Sequence, residues 1–393
     1  LNILKTYYNL RGDRSVWLIV ALLSLFSLLI VYSTSGSEAY KYNASHGTEY
    51  YLIRQMVFIA TGLLLVYTAY RLHYIQYAKL APILMVIAVP LLVYTALFGT
   101  EVNDASRWIK IPILEITFQT SDFARIALII FVARALATKQ DYIKEFKGAF
   151  LPIIAPIILI CGLIAPSNLS TAALLFATCF IMMFVGRISM KYVFLLLFLG
   201  VGVFGLIFFV GQHFPEHFRV DTWMNRINDF LYSDGQFQVV QSKIAIAEGG
   251  MFGVGPGNSI QRNLLPFAYA DFIYAIICEE YGFIGGALIL LVYLWLLIRT
   301  VSLVTRCPKT FGAMLAVGLT LNIVITAFAN IAVSVQLVPA TGLTLPMISM
   351  GGTSFLFTCI SFGIILSVSR FVETAYEEKK QLEKMETSGE SNN

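Results

Sequence analysis

Phe272-Ile-Tyr-Ala-Ile-Ile-Cys-Glu-Glu-Tyr-Gly-Phe-Ile-Gly-Gly-Ala-Leu-Ile-Leu-Leu-Val-Tyr-Leu-Trp-Leu-Leu-Ile298 is a run of 27 residues whose only charges are Glu279 and Glu280. A hydrocarbon core about 30 Å thick is crossed by about 20 apolar residues in a helix, so this run predicts a spanning helix long enough to tilt or protrude. Similar runs recur on both sides of it, at 16–32, 56–70, 80–98, 123–137, 149–165, 171–185, 192–210, 311–335 and 355–368. Those at 123–137 and 171–185 are short for a crossing. The pattern predicts an all-α, polytopic integral membrane protein with ten transmembrane helices. Composition agrees, with 58% of the 393 residues hydrophobic and 13% charged, against roughly 45–50% and about 25% in soluble domains. A soluble enzyme is excluded.

Of the 27 Lys and Arg residues, 18 fall with the N-terminus, the even-numbered loops and the tail, and 9 on the opposite side. The positive-inside rule then places both termini in the cytoplasm. The net charge of +4 is dispersed, which suits loops facing an anionic leaflet and argues against a nucleic-acid partner. Cys161, Cys179, Cys278, Cys307 and Cys359 lie in or beside apolar segments without CxxC spacing, so neither a disulfide framework nor a zinc site is expected. The first apolar run follows Lys5, Arg11 and Arg14 without a small-residue cleavage site and reads as a retained span. The chain divides into a membrane domain, 1–370, and a cytoplasmic tail, 371–393, that begins as a helical continuation. The tail ends Ser-Gly-Glu-Ser-Asn-Asn, with too little apolar content to fold, and is expected to be partly disordered.

This orientation puts the longest connection, 211–270, outside, and loops of that length are usually functional. It carries Trp223, Arg226, Lys243 and the run Glu248-Gly-Gly-Met-Phe-Gly-Val-Gly-Pro-Gly-Asn-Ser259, and it leads to Asp271 at the start of the eighth span. Asp271 stands where a lipid headgroup sits. Local sequence favours a helix N-cap, worth about 0.5–2 kcal/mol, over a reactive carboxylate. Glu279 is about 12 Å further along the axis, too distant for a glycosidase-type pair with Asp271. Glu279 and Glu280 lie inside a span and need partners or a cavity, and pairing between helices is the favoured reading.

Asp122 and Arg125, three residues apart, share a helix face. They form either a local ion pair or a cation held ready for a pyrophosphate group. Trp108, after Arg107, fits an interfacial aromatic belt. Lys243 and Arg262 add cations near Asp271 in sequence, and cations around one outer carboxylate are what a lipid-pyrophosphate substrate requires. The glycines of 249–257 follow no strand, so they are no dinucleotide fingerprint; turn-making is favoured over an anion nest. His213 and His217 belong to His-Phe-Pro-Glu-His rather than HExxH, and no metal motif is read.

The stretches Gln241-Ser-Lys-Ile-Ala-Ile-Ala-Glu-Gly-Gly-Met-Phe-Gly-Val-Gly-Pro-Gly-Asn-Ser259, Leu265-Pro266 and Asp271-Phe-Ile-Tyr-Ala-Ile-Ile-Cys-Glu-Glu-Tyr-Gly282 resemble the SEDS family of shape, elongation, division and sporulation proteins. Ala105-Ser-Arg-Trp-Ile109, Gln119-Thr-Ser-Asp-Phe-Ala-Arg125, Asn330 and Pro339-Ala-Thr-Gly-Leu-Thr-Leu-Pro-Met-Ile-Ser-Met-Gly-Gly-Thr-Ser354 resemble its other signatures, in the family's order. The chain departs from the family where Thr120, Asp122 and Arg125 stand for Pro, Glu and Lys, and where Asn168 stands nearest to an Asp. The opening Leu10-Arg-Gly-Asp-Arg-Ser-Val-Trp17 and the short tail resemble the division branch more than the elongation branch.

The resemblance implies a peptidoglycan glycosyltransferase that polymerises lipid II on the outer face of the bacterial cytoplasmic membrane, at the division septum. Its implied partners are a class B penicillin-binding transpeptidase and other divisome proteins. Asp271 becomes the general base, against the local preference for a cap. Arg107, Arg125 and Lys243 become the cations that receive the undecaprenyl pyrophosphate leaving group. Trp108, Gln119, Ser121 and Asp122 join them as implied substrate-binding residues. So do Gln241, Gly255 and Glu280, and, from the last signature, Pro339, Ser349, Gly351, Gly352 and Ser354. No resident cofactor is implied; a divalent cation, magnesium or manganese, could accompany the pyrophosphate. The alternatives are an elongation polymerase, a lipid II transporter built around the intramembrane acids, and a non-catalytic scaffold for the transpeptidase.

Overall fold

The structure, a computed structural model, describes residues 11–41, 48–102, 105–111, 116–213, 220–232, 237–265 and 268–390. It is mostly helical. In chain order come α1 (Arg14–Lys41), α2 (Thr48–Arg71), α3 (Tyr74–Phe98), β1 (Thr100–Val102), β2 (Ala105–Ile111), β3 (Ile116–Gln119), α4 (Thr120–Thr138), α5 (Leu151–Ile164), α6 (Leu169–Val185) and α7 (Met190–His213). There follow α8 (Val220–Tyr232), α9 (Phe237–Gly249), α10 (Ile273–Arg306), α11 (Thr310–Ser334) and α12 (Thr353–Glu390).

Each of the ten apolar runs lies on a helix, α1 to α7 or α10 to α12. Seven of these helices, α1, α2, α3, α5 together with the π-helical turn Phe146–Phe150 before it, α10, α11 and α12, are long and apolar enough to cross a membrane. This is a multi-pass membrane protein. Helix α4 carries Asp122, Arg125 and Arg134, and α6 has 17 residues. The connection 211–270 holds two further helices, α8 and α9.

The all-α expectation is corrected by a three-stranded antiparallel sheet in the order β1-β2-β3, with Trp108 opposite Gln119. Its residues Ile109, Ile111, Ile116, Thr117 and Phe118 are the β-branched and aromatic types that favour strands, in pieces too short for helical periodicity to register. Helix α12 continues into the tail, to Glu390. Lys, Glu, Gln, Leu and Met in that stretch are good helix formers, and extending an existing helix carries no nucleation cost. The final residues, 391–393, lie outside the described residues.

Helix α11 packs against α4, α6, α10 and α12, and 72% of its most apolar stretch is buried, against 22% for α2. The exposed side chains Ile53, Val57 and Leu64 of α2 present an apolar surface that suits lipid. At the end of the bundle remote from the sheet, Asp13 pairs with Arg299 of α10 at 2.8 Å and its N–H donates to Ser369 of α12 at 2.5 Å.

Helix α10 is broken at Gly282, whose φ of 67° and ψ of −169° no helix contains. The 24 or so residues beyond it rise about 36 Å, enough for a crossing, so the segment 273–281 is a separate short helix. The glycine-rich loop enters this break. Val254 and Gly255 donate to the carbonyls of Glu279 and Glu280 at 2.9 and 3.0 Å, and Phe283 donates to Gly250 at 2.8 Å. The run read as turn-making is therefore also a backbone clasp. At Gly253, with φ of 81°, an added Cβ would stand 2.1 Å from the carbonyl oxygen of Glu280. Gly253→Ala is predicted to cost more than about 2 kcal/mol, combining left-handed strain with a backbone clash. The measurement is the unfolding midpoint in detergent; an unchanged midpoint would contradict the clasp.

Candidate active site

The starts of α4, α6 and α12 and the turn before α10 converge beside the sheet around a cavity of about 490 Å³. Asp122 and Arg125 line it from α4, Asn168 and Thr171 from α6, Gly351, Gly352 and Ser354 from the α12 entry, and Tyr269, Ala270 and Asp271 from the turn. Trp108 and Gln119 contribute from the sheet, Arg226 from α8, Tyr51, Arg54 and Phe58 from α2, and Asn322 and Thr326 from α11. Helix N-termini carry partial positive charge and unpaired N–H groups. With three arginines added, the chamber suits an anionic ligand of the size that small-molecule sites enclose.

The backbone around Asp271 belongs to no helix and is held from outside. Asn330 of α11 donates through Nδ2 to the Asp271 carbonyl at 2.8 Å and to the Leu343 carbonyl at 2.6 Å. Ser349 donates to the Ala270 carbonyl at 2.6 Å, and the Met350 N–H to Tyr269 at 3.1 Å. The carboxylate lies beside Gly342, where an added Cβ would be 3.7 Å from Oδ2. The N-cap position of α10 is Phe272, without a side-chain cap. Asp271 therefore stands one residue outside the helix and faces the cavity.

Across the chamber, Arg125 Nη2 meets Asp122 Oδ1 at 2.5 Å, with both side chains nearly enclosed. Asn168 accepts from the Thr171 N–H at 3.2 Å, as a helix N-cap. Gln119 donates through its N–H to Thr353 Oγ1 at 3.2 Å and through Nε2 to Ser121 Oγ at 3.0 Å, tying the sheet to α12 and α4.

Other candidates lie elsewhere. Glu280 accepts from Ser33 of α1, and Arg262 donates to the Ser33 carbonyl at 2.7 Å. Glu279 accepts from Ser259, from the Ile260 N–H at 2.8 Å and from the Gln261 N–H at 3.2 Å. Both acids thus bind the segment 273–281 to its surroundings, with Gly255 bonded to Glu280 in the clasp. Gln241 and Lys243 are on α9, which packs on α10 and α11, and neither lines the cavity. Ser349 supports the turn from behind, and Pro339 lies in the loop before Gly342. Arg107 is on β2 beside Trp108, its side chain outside the described residues.

Arg54, Arg226 and Asn322 line the cavity without having been site candidates in the sequence. The sequence carries no signal for Arg54, because a cation just before an apolar run is ordinary at a span end. Asn330→Leu is predicted to leave two carbonyls without their donor, at about 1–3 kcal/mol each. Hydrogen exchange should accelerate at 269–272 and 342–345 while the far end of α11 is unchanged.

Residues 13–374 match the family model for the FtsW, RodA and SpoVE cell cycle proteins. Stage V sporulation protein E of Bacillus subtilis (strain 168) is 34% identical over 371 residues, covering 91% of this chain and 97% of that protein. The "Probable peptidoglycan glycosyltransferase FtsW" of Geobacter sp. (strain M18) is 32% identical over 366 residues, covering 91% and 96%. RodA of Thermus thermophilus shares the fold at a TM-score of 0.65 and 24% identity, covering 92% of this chain and 98% of that chain. So does a chain from the structure described as "Structural coordination of polymerization and crosslinking by a peptidoglycan synthase complex", with a TM-score of 0.70, 24% identity and coverage of 92% and 98%.

Proposed function

The chain belongs to the FtsW, RodA and SpoVE family of cell cycle proteins, and on that premise we propose that it is a peptidoglycan glycosyltransferase of the FtsW kind that polymerises lipid II. The observation that carries this is the meeting of the Asp271 carboxylate with Arg54, Arg125 and Arg226 in a single chamber, which Asp122 also lines. Names of relatives about one third identical support the polymerase over the transporter and the scaffold.

Ten of the helices cross the membrane, both termini are cytoplasmic, and the cavity opens on the outer face. The placement of 18 of the 27 Lys and Arg residues with the termini and even-numbered loops supports this. The protein works at the division septum with a class B transpeptidase and other divisome proteins. The fold shared with a chain of a peptidoglycan synthase complex supports such a partner.

Asp271 takes the proton from the acceptor sugar hydroxyl as that oxygen attacks the anomeric carbon of the donor. The bond to undecaprenyl pyrophosphate breaks, and the electron pair leaves with a group that is already anionic. Cations and helix N-termini stabilise that charge, so no second carboxylate is needed as an acid. Asn168, where the family has Asp, keeps its N-capping bond and supplies the chamber with an amide instead of a charge.

Among the described residues no group of three or more His, Cys, Asp and Glu side chains could hold a metal ion. A divalent cation would be held by diphosphate oxygens and water, with Asp271 as the carboxylate at hand; bound there, it would neutralise phosphate charge. Magnesium alone is predicted to leave the unfolding midpoint unchanged and to raise it only together with a lipid diphosphate.

Asp271→Asn is predicted to remain folded and membrane-inserted, and to lose at least about a hundredfold in polymerisation, the scale of one general base. The assay is lipid II polymerisation by the purified protein with its transpeptidase, read as glycan ladders. Wild-type ladders from the variant would remove Asp271 from the chemistry.

A further inference from the structure

The cations of the chain are dispersed, but their excess over acids is not. Residues 134–191 hold Arg134, Lys139, Lys144, Lys147, Arg187 and Lys191 against Asp141 and Glu145. Their net charge is +4, the same as that of the whole chain, so the rest of the protein is balanced. Helices α4 and α6 both start at the chamber, and the loop after α4 and the turn after α6 therefore share the opposite end. Other cations at that end are engaged: Arg299 pairs with Asp13 at 2.8 Å, and Arg370 lies 4.8 Å from the centre of the Tyr70 ring. Among the described residues none of the six is in an ion pair. Lys144, Lys147, Arg187 and Lys191 are exposed, as are the two acids.

The local structure gathers these charges. Lys139 lies 5.4 Å from the centre of the Tyr142 ring and donates to the Gly148 carbonyl at 2.8 Å, which closes 139–148 into a ring. The π-helical turn Phe146–Phe150 follows, a form found often at functional sites. The rings of Phe146, Phe150 and Tyr192 meet with centroids 5.0 to 5.4 Å apart. Lys147, next to Phe146, and Lys191, next to Tyr192, are thereby brought to one patch.

The turn after α6 is seated on α4, since a Cβ added at Gly186 would stand 2.8 Å from Leu136 Cδ2. Arg187 follows with φ of 65°, a left-handed conformation that suits Gly or Asn and strains Arg. Strain of this kind persists where a side chain is wanted for function. The helix macrodipole favours a cation at a C-terminus, yet it asks for no left-handed Arg and does not account for Lys144 and Lys147 on the neighbouring loop. Exposed apolar side chains border the charges, Tyr142 and Phe146 on the loop and Val185 and Met190 on the turn. A soluble anion has no use for such a border, whereas a phospholipid presents phosphate and acyl chain together.

We propose that the loop 139–148 and the turn 186–191 bind the headgroup of an anionic phospholipid of the diphosphatidylglycerol kind. Lys144 and Lys147 take one phosphate, Arg187 and Lys191 take the other, and the acyl chains lie on Phe146, Val185 and Met190. In the proposed orientation this is the cytoplasmic leaflet, whose surface is negative. The site is remote from the chamber and does not depend on the glycosyltransferase reading.

The test is binding of tetraoleoyl diphosphatidylglycerol, dioleoyl phosphatidylglycerol and dioleoyl phosphatidylcholine to the purified full chain in detergent, with the unfolding midpoint recorded for each variant. Wild type is expected to bind them in that order of decreasing affinity, with a preference that weakens as salt is raised. Lys144→Gln with Lys147→Gln, and Arg187→Gln with Lys191→Gln, should each weaken diphosphatidylglycerol binding about 25-fold, about fivefold per cation. Lys144→Arg with Lys147→Arg should stay within threefold of wild type. Arg306→Gln with Lys309→Gln removes two exposed cations at the same end and should change binding less than twofold. Arg187→Gly should weaken binding about fivefold while raising the unfolding midpoint, because it relieves the left-handed strain. Retained affinity in both Gln double variants, or an equal loss in the Arg306 and Lys309 variant, overturns the site. Phosphatidylglycerol bound as tightly as diphosphatidylglycerol overturns the pairing of cations with two phosphates. Displacement of the lipid by an equal concentration of inorganic diphosphate overturns the role of the apolar border.

Discussion

The side-chain amide of Asn330 donates to two carbonyls, those of Asp271 and Leu343, at 2.8 and 2.6 Å, and the geometry of the chamber depends on this bridge. Irregular backbone at a membrane boundary persists only when its polar groups are satisfied within the protein. Asn330 supplies that satisfaction from a largely enclosed helix of the bundle. It ties the turn that carries the carboxylate to the adjoining loop around Gly342 and Leu343. Ser349 and the Met350 N–H extend the same seam to Ala270 and Tyr269. Asp271 is therefore positioned by α11 and the 339–352 loop, although in sequence it adjoins α10.

A second set of contacts works on the other side of Asp271. The short segment 273–281 is held at its far end by the glycine clasp and by the two acids that follow each other at 279 and 280. Glu279 gathers Ser259, Ile260 and Gln261, and Glu280 reaches Ser33 of α1. Residues that look alike in sequence thus hold different partners, one the loop and one another helix. They secure this segment, and neither lines the chamber.

What could be read from the sequence followed from periodicity and from the cost of burying charge. All ten apolar runs became helices because apolar length is a strong local signal. Glu279 and Glu280 found partners because acids in a span must. The sheet, α8 and α9 were not legible, since each is short and owes its stability to what it packs against. Asp271 looked like a cap because Asp before an apolar helix usually is one, and only tertiary contacts move the helix start to Phe272. Arg54 was hidden for a related reason. Flanking cations are common at span ends, and nothing in the order of residues reveals that α2 turns that one toward α4, α8 and α12.

The interruption at Gly282 also bears on how the protein meets membranes of different thickness. A spanning helix answers a thinner or thicker bilayer by tilting, and a continuous 34-residue rod would swing its outer end like a lever arm. The break at Gly282 divides that rod, and the glycine-rich loop is bonded to both sides of it, to Glu279 and Glu280 before and to Phe283 after. The segment next to Asp271 therefore takes its position from the loop and from α1 as well as from the lipid-facing rod.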